Sequence, residues 1–320
     1  MRRRSFIGGV ASVGATLASP VRVRAQAPPA RIGVLVGPTT TLDPFLKDFR
    51  ERLLALGYVE GRTFNLEIRV SEGRVERSPL LAAELVREKV DAIVALQTPN
   101  AEAAKSATSA IPIVMIAGDP VGTGLIANLA RPGGNITGIS TATAEASGKC
   151  VQFLREMLPE LKRVAAICNS LDPFSQQFLE QIQQAAAALG VAAVPLFYKG
   201  PDGFEAAFTS EPAAFEAAVI QPSLGSTRPA EFAVARRLPS ASPNRVFALA
   251  GGLLSYSGNQ ARMFSDAADY VDKILKGARP ADLPVQQPTV FDLVVNKKTA
   301  AALGLSIPPS LLATADELVE

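Results

Sequence analysis

Hydroxyl, amide and carboxylate side chains gather in five short segments of this 320-residue chain: Gly37–Thr41, Gln97–Asn100, Gly118–Gly122, Asn169–Asp172 and Pro222–Leu224. Groups of this kind hold a polar solute rather than break its bonds. Several segments stand just before a helical stretch, where free N–H groups and the helix dipole suit a carboxylate or another anion. Asp119, held in a tight turn between Gly118 and Pro120, suits an ammonium group instead. A solute with both groups, such as an amino acid, would satisfy both. Asp43 and Asp172 are each followed at once by proline, the order of an N-cap and a first helical residue, and read as caps.

Catalytic machinery is thin. The chain has no histidine, so Ser-His-Asp and Cys-His arrangements and His-based metal motifs are impossible. Gly33-x-x-x-Gly37 lacks the Gly-Lys-Ser/Thr of a phosphate loop, and Gly118-x-x-x-Gly122-x-Gly124 has the wrong spacing for a dinucleotide fingerprint. We therefore expect a binding protein and not an enzyme, with no cofactor and no metal. Cys150 falls in a helical stretch and Cys168 in an apolar strand; they read as two buried free thiols.

Residues 1–25 read as an export address. Arg2, Arg3 and Arg4 precede a weakly apolar run to about Leu17, and Val23-Arg24-Ala25 offers a cleavage site before Gln26. Arg3-Arg4-Ser5-Phe6-Ile7 also fits the twin-arginine pattern. The run is too short to span a membrane. No cysteine precedes Cys150, which argues against a lipid anchor. The expected product is a free monomer in the periplasm. Removing residues 1–25 takes away five arginines and no acid, so a formal charge of +2 becomes −3. A near-neutral mature chain argues against a nucleic-acid partner.

The elements that must position the loops alternate as strand and helix. Ile32–Val36 is continuously apolar, as in a strand covered on both faces. A helix ending at Gly57 follows, then strand Phe64–Val70, and a helix from Ser78 with Leu80, Leu81, Leu85 and Val86 on one face. Strand Asp91–Leu96, helix Ala101–Thr108 and strand Pro112–Ala117 complete a first set. After Arg131-Pro132-Gly133-Gly134-Asn135 a second set begins: strand Val164–Cys168, helix Pro173–Leu189, and strands Val191–Tyr198 and Ala217–Gln221. Pro239–Pro243 is a weak strand candidate. Helix Gln260–Leu275, with Met263, Ala267, Tyr270, Val271 and Ile274 on its core stripe, precedes strand Pro288–Asn296 and helix Lys297–Leu303. The rhythm predicts an α/β protein of two lobes, each a parallel sheet flanked by helices, with ligands beyond the strand C-termini.

Over residues 31–319 the chain resembles the ABC-transporter substrate-binding protein family that includes the tryptophan/tyrosine-type binding proteins. The segments that carry the likeness include Leu56-Gly57-Tyr58-Val59-Glu60-Gly61-Arg62, Ala117-Gly118-Asp119-Pro120-Val121-Gly122 and Leu129-Ala130-Arg131-Pro132-Gly133-Gly134-Asn135. Others are Gly251-Gly252-Leu253-Leu254-Ser255-Tyr256 and Ala302-Leu303-Gly304-Leu305-Ser306-Ile307-Pro308-Pro309. The resemblance implies a type I periplasmic-binding-protein fold: two Rossmann-like lobes joined by a three-crossing hinge, lobe 1 from residues 26–140 plus 254–288 and lobe 2 from 141–253 plus 289–320. It implies ligand contacts at Thr39, Thr40, Thr98, Pro99, Asp119, Asn169, Pro222 and Ser223. The chain departs from the family pattern between about Ser210 and Val246. The function implied is capture of a small solute, an amino acid or similar zwitterion or anion, by hinge closure, and delivery to ABC permease membrane subunits. The alternative is a periplasmic sensor that presents its ligand to a membrane receptor.

Overall fold

The computed structural model describes residues 28–37, 41–199 and 215–320. Thr39 and Thr40, the export segment and part of the departure region lie outside them. The first sheet contains β1 (Ala30–Val36), β2 (Phe64–Val70), β3 (Ala92–Leu96), β4 (Ile113–Ala117) and β5 (Ile136–Ser140), in the order β2-β1-β3-β4-β5. All its pairings are parallel. Helices cover both faces, which is why β1, β3 and β4 are nearly continuous runs of buried apolar residues. Helices α1 (Leu42–Ala55) and α8 (Gln260–Leu275) share one face with Phe45, Phe49 and Phe264. Helices α2 (Ser78–Arg87) and α3 (Thr98–Ala107) cover the other.

The second sheet joins β6 (Arg163–Asn169), β7 (Ala192–Tyr198), β8 (Ala217–Ile220), β9 (Ser240–Ser242), β10 (Leu254–Gly258), β11 (Phe291–Asn296) and β12 (Glu317–Val319). Their order is β12-β11-β10-β9-β8-β6-β7, and only the β10–β11 pairing is antiparallel. One face is covered by α4 (Thr143–Met157), α5 (Ser175–Ala188), α9 (Lys297–Leu303) and α10 (Pro309–Thr314). The other is covered by α6 (Thr227–Ala235) and α7 (Arg245–Leu249). Two mostly parallel α/β sheets flanked by helices are the expected class.

Several local expectations change. Thr41, not Asp43, holds the cap position of α1, and Asp43 lies in the first turn, where its charge still opposes the helix dipole. Leu80 is 63% exposed while Leu81 and Leu85 are buried. Neighbouring helical residues point about 100° apart, so Leu80 and Leu81 cannot both face the sheet. Strand β10 is hydrogen-bonded between β9 and β11, so Leu254–Gly258 belongs to the second sheet and the chain returns to the first only after Gly258. The weak candidate at Pro239–Pro243 forms a real strand because its prolines fall outside Ser240–Ser242, and the Pro239 carbonyl accepts from Ala218. Cys150 and Cys168 are buried free thiols, each pushed up to about 12 mainly by desolvation.

The chain passes between the sheets three times: from β5 into α4, from β10 into α8, and from Gln286 into β11. The third pass is tied down where Gln286 pairs with Ile139, its carbonyl accepting from Ser140 and its N–H donating to Gly138.

Candidate functional site

The C-terminal ends of both sheets face one another across a cavity of about 90 Å³. The first sheet and its helices supply Thr41, Leu96, Gln97, Thr98, Ile116, Gly118, Met263 and Phe264; the second side supplies Asp172, Phe174, Gln221, Pro222, Ser223, Asn244 and Ser257. Thr141, Thr143, Gly258 and Gln260 line it where the chain crosses. Nearly every contributor follows a parallel strand, as an α/β sheet dictates.

Asp172 is the one ionisable side chain among the described residues that line the cavity. It is 7% exposed. Its Oδ1 accepts the Phe174 N–H at 3.0 Å and its Oδ2 accepts the Gln221 amide at 2.8 Å. Gln221 is fully buried and locked, because its Oε1 accepts from the Asn169 N–H at 2.8 Å and from the Ser175 hydroxyl at 3.0 Å. No described lysine or arginine forms a salt bridge with Asp172. Loss of hydration therefore dominates and pushes its carboxyl up to about 6. The Ser223 hydroxyl, the Phe174 N–H and the Gln221 amide pull it back, and Glu102 adds repulsion. Ser223 is near enough to exert this pull without reaching hydrogen-bond geometry.

Hydroxyls around the same cavity are equally short of partners. Thr41 Oγ1, Ser223 Oγ and Ser257 Oγ are buried and make no hydrogen bond. Buried polar groups are nearly always satisfied, so three such hydroxyls and a carboxylate without a countercharge describe a surface complementary to a polar solute that carries a positive group. Two residues here, Gln97 (φ +72°) and Ala142 (φ +52°), have positive φ. They start α3 and α4, directing both helix N-termini toward the cavity. Each strained backbone costs on the order of 1–3 kcal/mol, a cost typical of binding sites.

The structure brings Thr98, Pro222 and Ser223 to the cavity wall. The Thr98 hydroxyl also accepts the Gly118 N–H at 3.1 Å, tying the loops after β3 and β4 together. Pro99 is buried in the first turn of α3 and does not line the cavity. The Asn169 side chain folds onto its own loop, accepting the Leu171 N–H at 3.1 Å. Asp119 is likewise turned back: its Oδ1 accepts the Gly122 N–H at 2.9 Å, and the residue does not line the cavity. The acid at the cavity is Asp172 instead. Its Asp-Pro pair suggests a helix cap, yet α5 starts only at Ser175, and the carboxylate closes the preceding turn on the Phe174 N–H at the cavity wall. Gln221 ends an apolar run and gives no signal in the sequence. Met263 reads as a core position because it is core on one side and cavity wall on the other.

Contacts beside the cavity join the two sides. The Phe174 ring lies so close to Gly118 that a Cβ there would sit 2.8 Å from it. The Gln177 amide donates to the Gly122 carbonyl at 2.9 Å.

Two α/β lobes with a polar-walled cavity between their strand ends define a two-lobed solute-binding protein. The model of the ABC transporter substrate binding protein family matches residues 34–319, and the chain belongs to that family. It is 24% identical over 270 residues to a tyrosine-binding protein of Clostridioides difficile (strain R20291), covering 83% of this chain and 78% of that one. Among solved structures, an ABC domain in complex with L-Trp from Streptococcus pneumoniae superposes with a TM-score of 0.84 at 26% identity, covering 91% of this chain and all of the other. A conserved domain protein from Vibrio cholerae O1 biovar El Tor also gives 0.84, at 27% identity, covering 90% and 99%. Among the described residues no helix is long and apolar enough to cross a membrane.

Proposed function

We propose that this chain is the periplasmic solute-receiving subunit of an ABC importer and that its solute is a zwitterionic amino acid. The observation that carries this reading is Asp172, a buried carboxylate at the cavity with no cationic partner. An α-ammonium group supplies the missing countercharge and offsets the rise in pKa that burial causes. The N-terminus of α3 and the unpartnered hydroxyls of Thr41 and Ser257 suit the α-carboxylate. The amino acids named for the relatives, L-Trp and tyrosine, support the same class of solute. Residues 1–25 act as a cleaved export signal, and the loaded protein docks on permease subunits in the membrane.

The test is a thermal-shift panel on the chain from Gln26 onward, using L-amino acids beside their deaminated acids and decarboxylated amines. An amino acid at one hundred times its Kd stabilises by about 2.7 kcal/mol. Both analogues are expected to give far smaller shifts. Equal shifts from a deaminated acid would remove Asp172 from recognition.

Closure adds a second prediction. Gly118→Ala forces the Phe174 ring away from the opposing loop, which disfavours the closed form without touching Asp172. Affinity is expected to fall about tenfold, with the order of preferred solutes unchanged. Titration calorimetry reads both; a changed order would show that Gly118 shapes the ligand site itself.

A further inference from the structure

We infer that the cleft takes an amino acid with a short side chain, and that Met263 is the wall that sets this limit. The inference rests on the amino-acid reading above and narrows it.

The cavity measures about 90 Å³. A cavity that holds a benzene ring is larger, about 150 Å³. Once the ammonium, carboxylate and α-carbon are seated, the space left beside Leu96, Ile116, Phe174, Met263 and Phe264 accepts one or two further heavy atoms and no ring. The two aromatic walls are fixed. Phe174 is trapped against Gly118 and meets Phe178 edge-on at 6.2 Å. Phe264 meets Phe45 edge-on at 5.4 Å. Neither can swing aside without disturbing the core of its own lobe.

Met263 differs. It sits in the first turn of α8, 5% exposed, with an unbranched side chain that adapts to the space around it. It also lines a second cavity, of about 310 Å³, formed where α8 passes the third crossing at Gln286 and Pro288. Among the described residues, Met263 is the one that lines both cavities. Shortening it would join the solute cavity to this larger volume and give a long side chain somewhere to go.

The experiment is titration calorimetry of L-alanine, L-serine, L-phenylalanine and L-tryptophan against the wild type, Met263→Ala and Met263→Val, with circular dichroism to confirm folding. The wild type is expected to bind alanine or serine about tenfold or more tighter than either aromatic amino acid. Met263→Ala is expected to raise affinity for the aromatics about tenfold relative to that for alanine and serine. If Met263→Ala does not fold, Met263→Val must show a smaller gain in the same direction. A wild type that prefers phenylalanine or tryptophan overturns the inference and leaves the amino-acid reading intact. A folded variant that still excludes the aromatics overturns the role of Met263. Failure of every amino acid in the broader thermal-shift panel removes the reading itself and the inference with it.

Discussion

Replacing Asp172 by asparagine is expected to abolish amino-acid binding and to remove a pH dependence from the stability of the ligand-free protein. Asp172 has its carboxyl raised from 3.8 to about 6, first by burial. The folded chain then holds this proton more tightly than the unfolded chain does. Its contribution to stability is present at low pH and is lost as pH rises through about 6. The full effect is on the order of 3 kcal/mol, of which about 2 kcal/mol falls between about pH 4 and pH 7. The wild type should lose that much stability relative to Asp172→Asn over the same interval, and denaturant melts at several pH values read it directly. The ligand reverses the sign. An ammonium beside Asp172 favours the charged carboxylate, so affinity should weaken as pH falls below about 6. Removing one partner of a buried ion pair costs about 3–5 kcal/mol, a loss of at least a hundredfold in affinity. A variant that binds within about threefold of wild type would exclude Asp172 as the ammonium partner.

Gly138→Ala is expected to have the largest effect on folding. Gly138 lies in the middle of β5, paired with Met115 of β4, at φ +134°. A Cβ there would stand 2.1 Å from the Met115 carbonyl oxygen and 2.7 Å from its nitrogen. These are backbone atoms of a buried strand, so relief requires β4 and β5 to part. Beyond β5, the Gly138 carbonyl accepts from Gln286 and fixes the third crossing. We expect a loss of about 3–5 kcal/mol, a fall in melting temperature of roughly 5–8 °C. A calorimetric scan that found the variant melting within about 2 °C of wild type would show that the pairing is looser than described.

The alternation of apolar runs and amphipathic stretches carries the fold because burial on two faces leaves its mark on every residue of β3 and β4 and on Ile32–Val36 of β1. Helix α8 and strand β2 are legible to the residue for related reasons: a strong apolar stripe in one, a bounded β-prone run in the other. The short strands β10 (Leu-Ser-Tyr-Ser-Gly) and β12 (Glu-Leu-Val) are not, since so few residues set no periodicity of their own and depend on neighbours for pairing. The site divides along a similar line. Loop positions after strands can be read, and Thr98, Pro222 and Ser223 follow. Which carboxylate faces the cleft cannot, because Asp119 and Asp172 both sit in turns and each accepts an N–H of its own turn, yet only Asp172 is buried against the cavity. The carboxylate of Asp119 turns back onto Gly122, whereas Asp172 keeps an unneutralised charge against the cavity. Met263 shows the same limit: helical spacing marks its apolar face but not the space on either side of it.

The central claim is that Asp172 receives the ammonium group of an amino acid inside the closed cleft. A crystal structure of the chain from Gln26 onward with the amino acid that gives the largest thermal shift tests this most directly. The ligand nitrogen is expected about 3 Å from the Asp172 carboxylate, with the Thr98 end of α3 and the Thr41 and Ser257 hydroxyls facing the ligand carboxylate. A ligand whose ammonium is held elsewhere, with Asp172 still bonded only to Phe174 and Gln221, would contradict it.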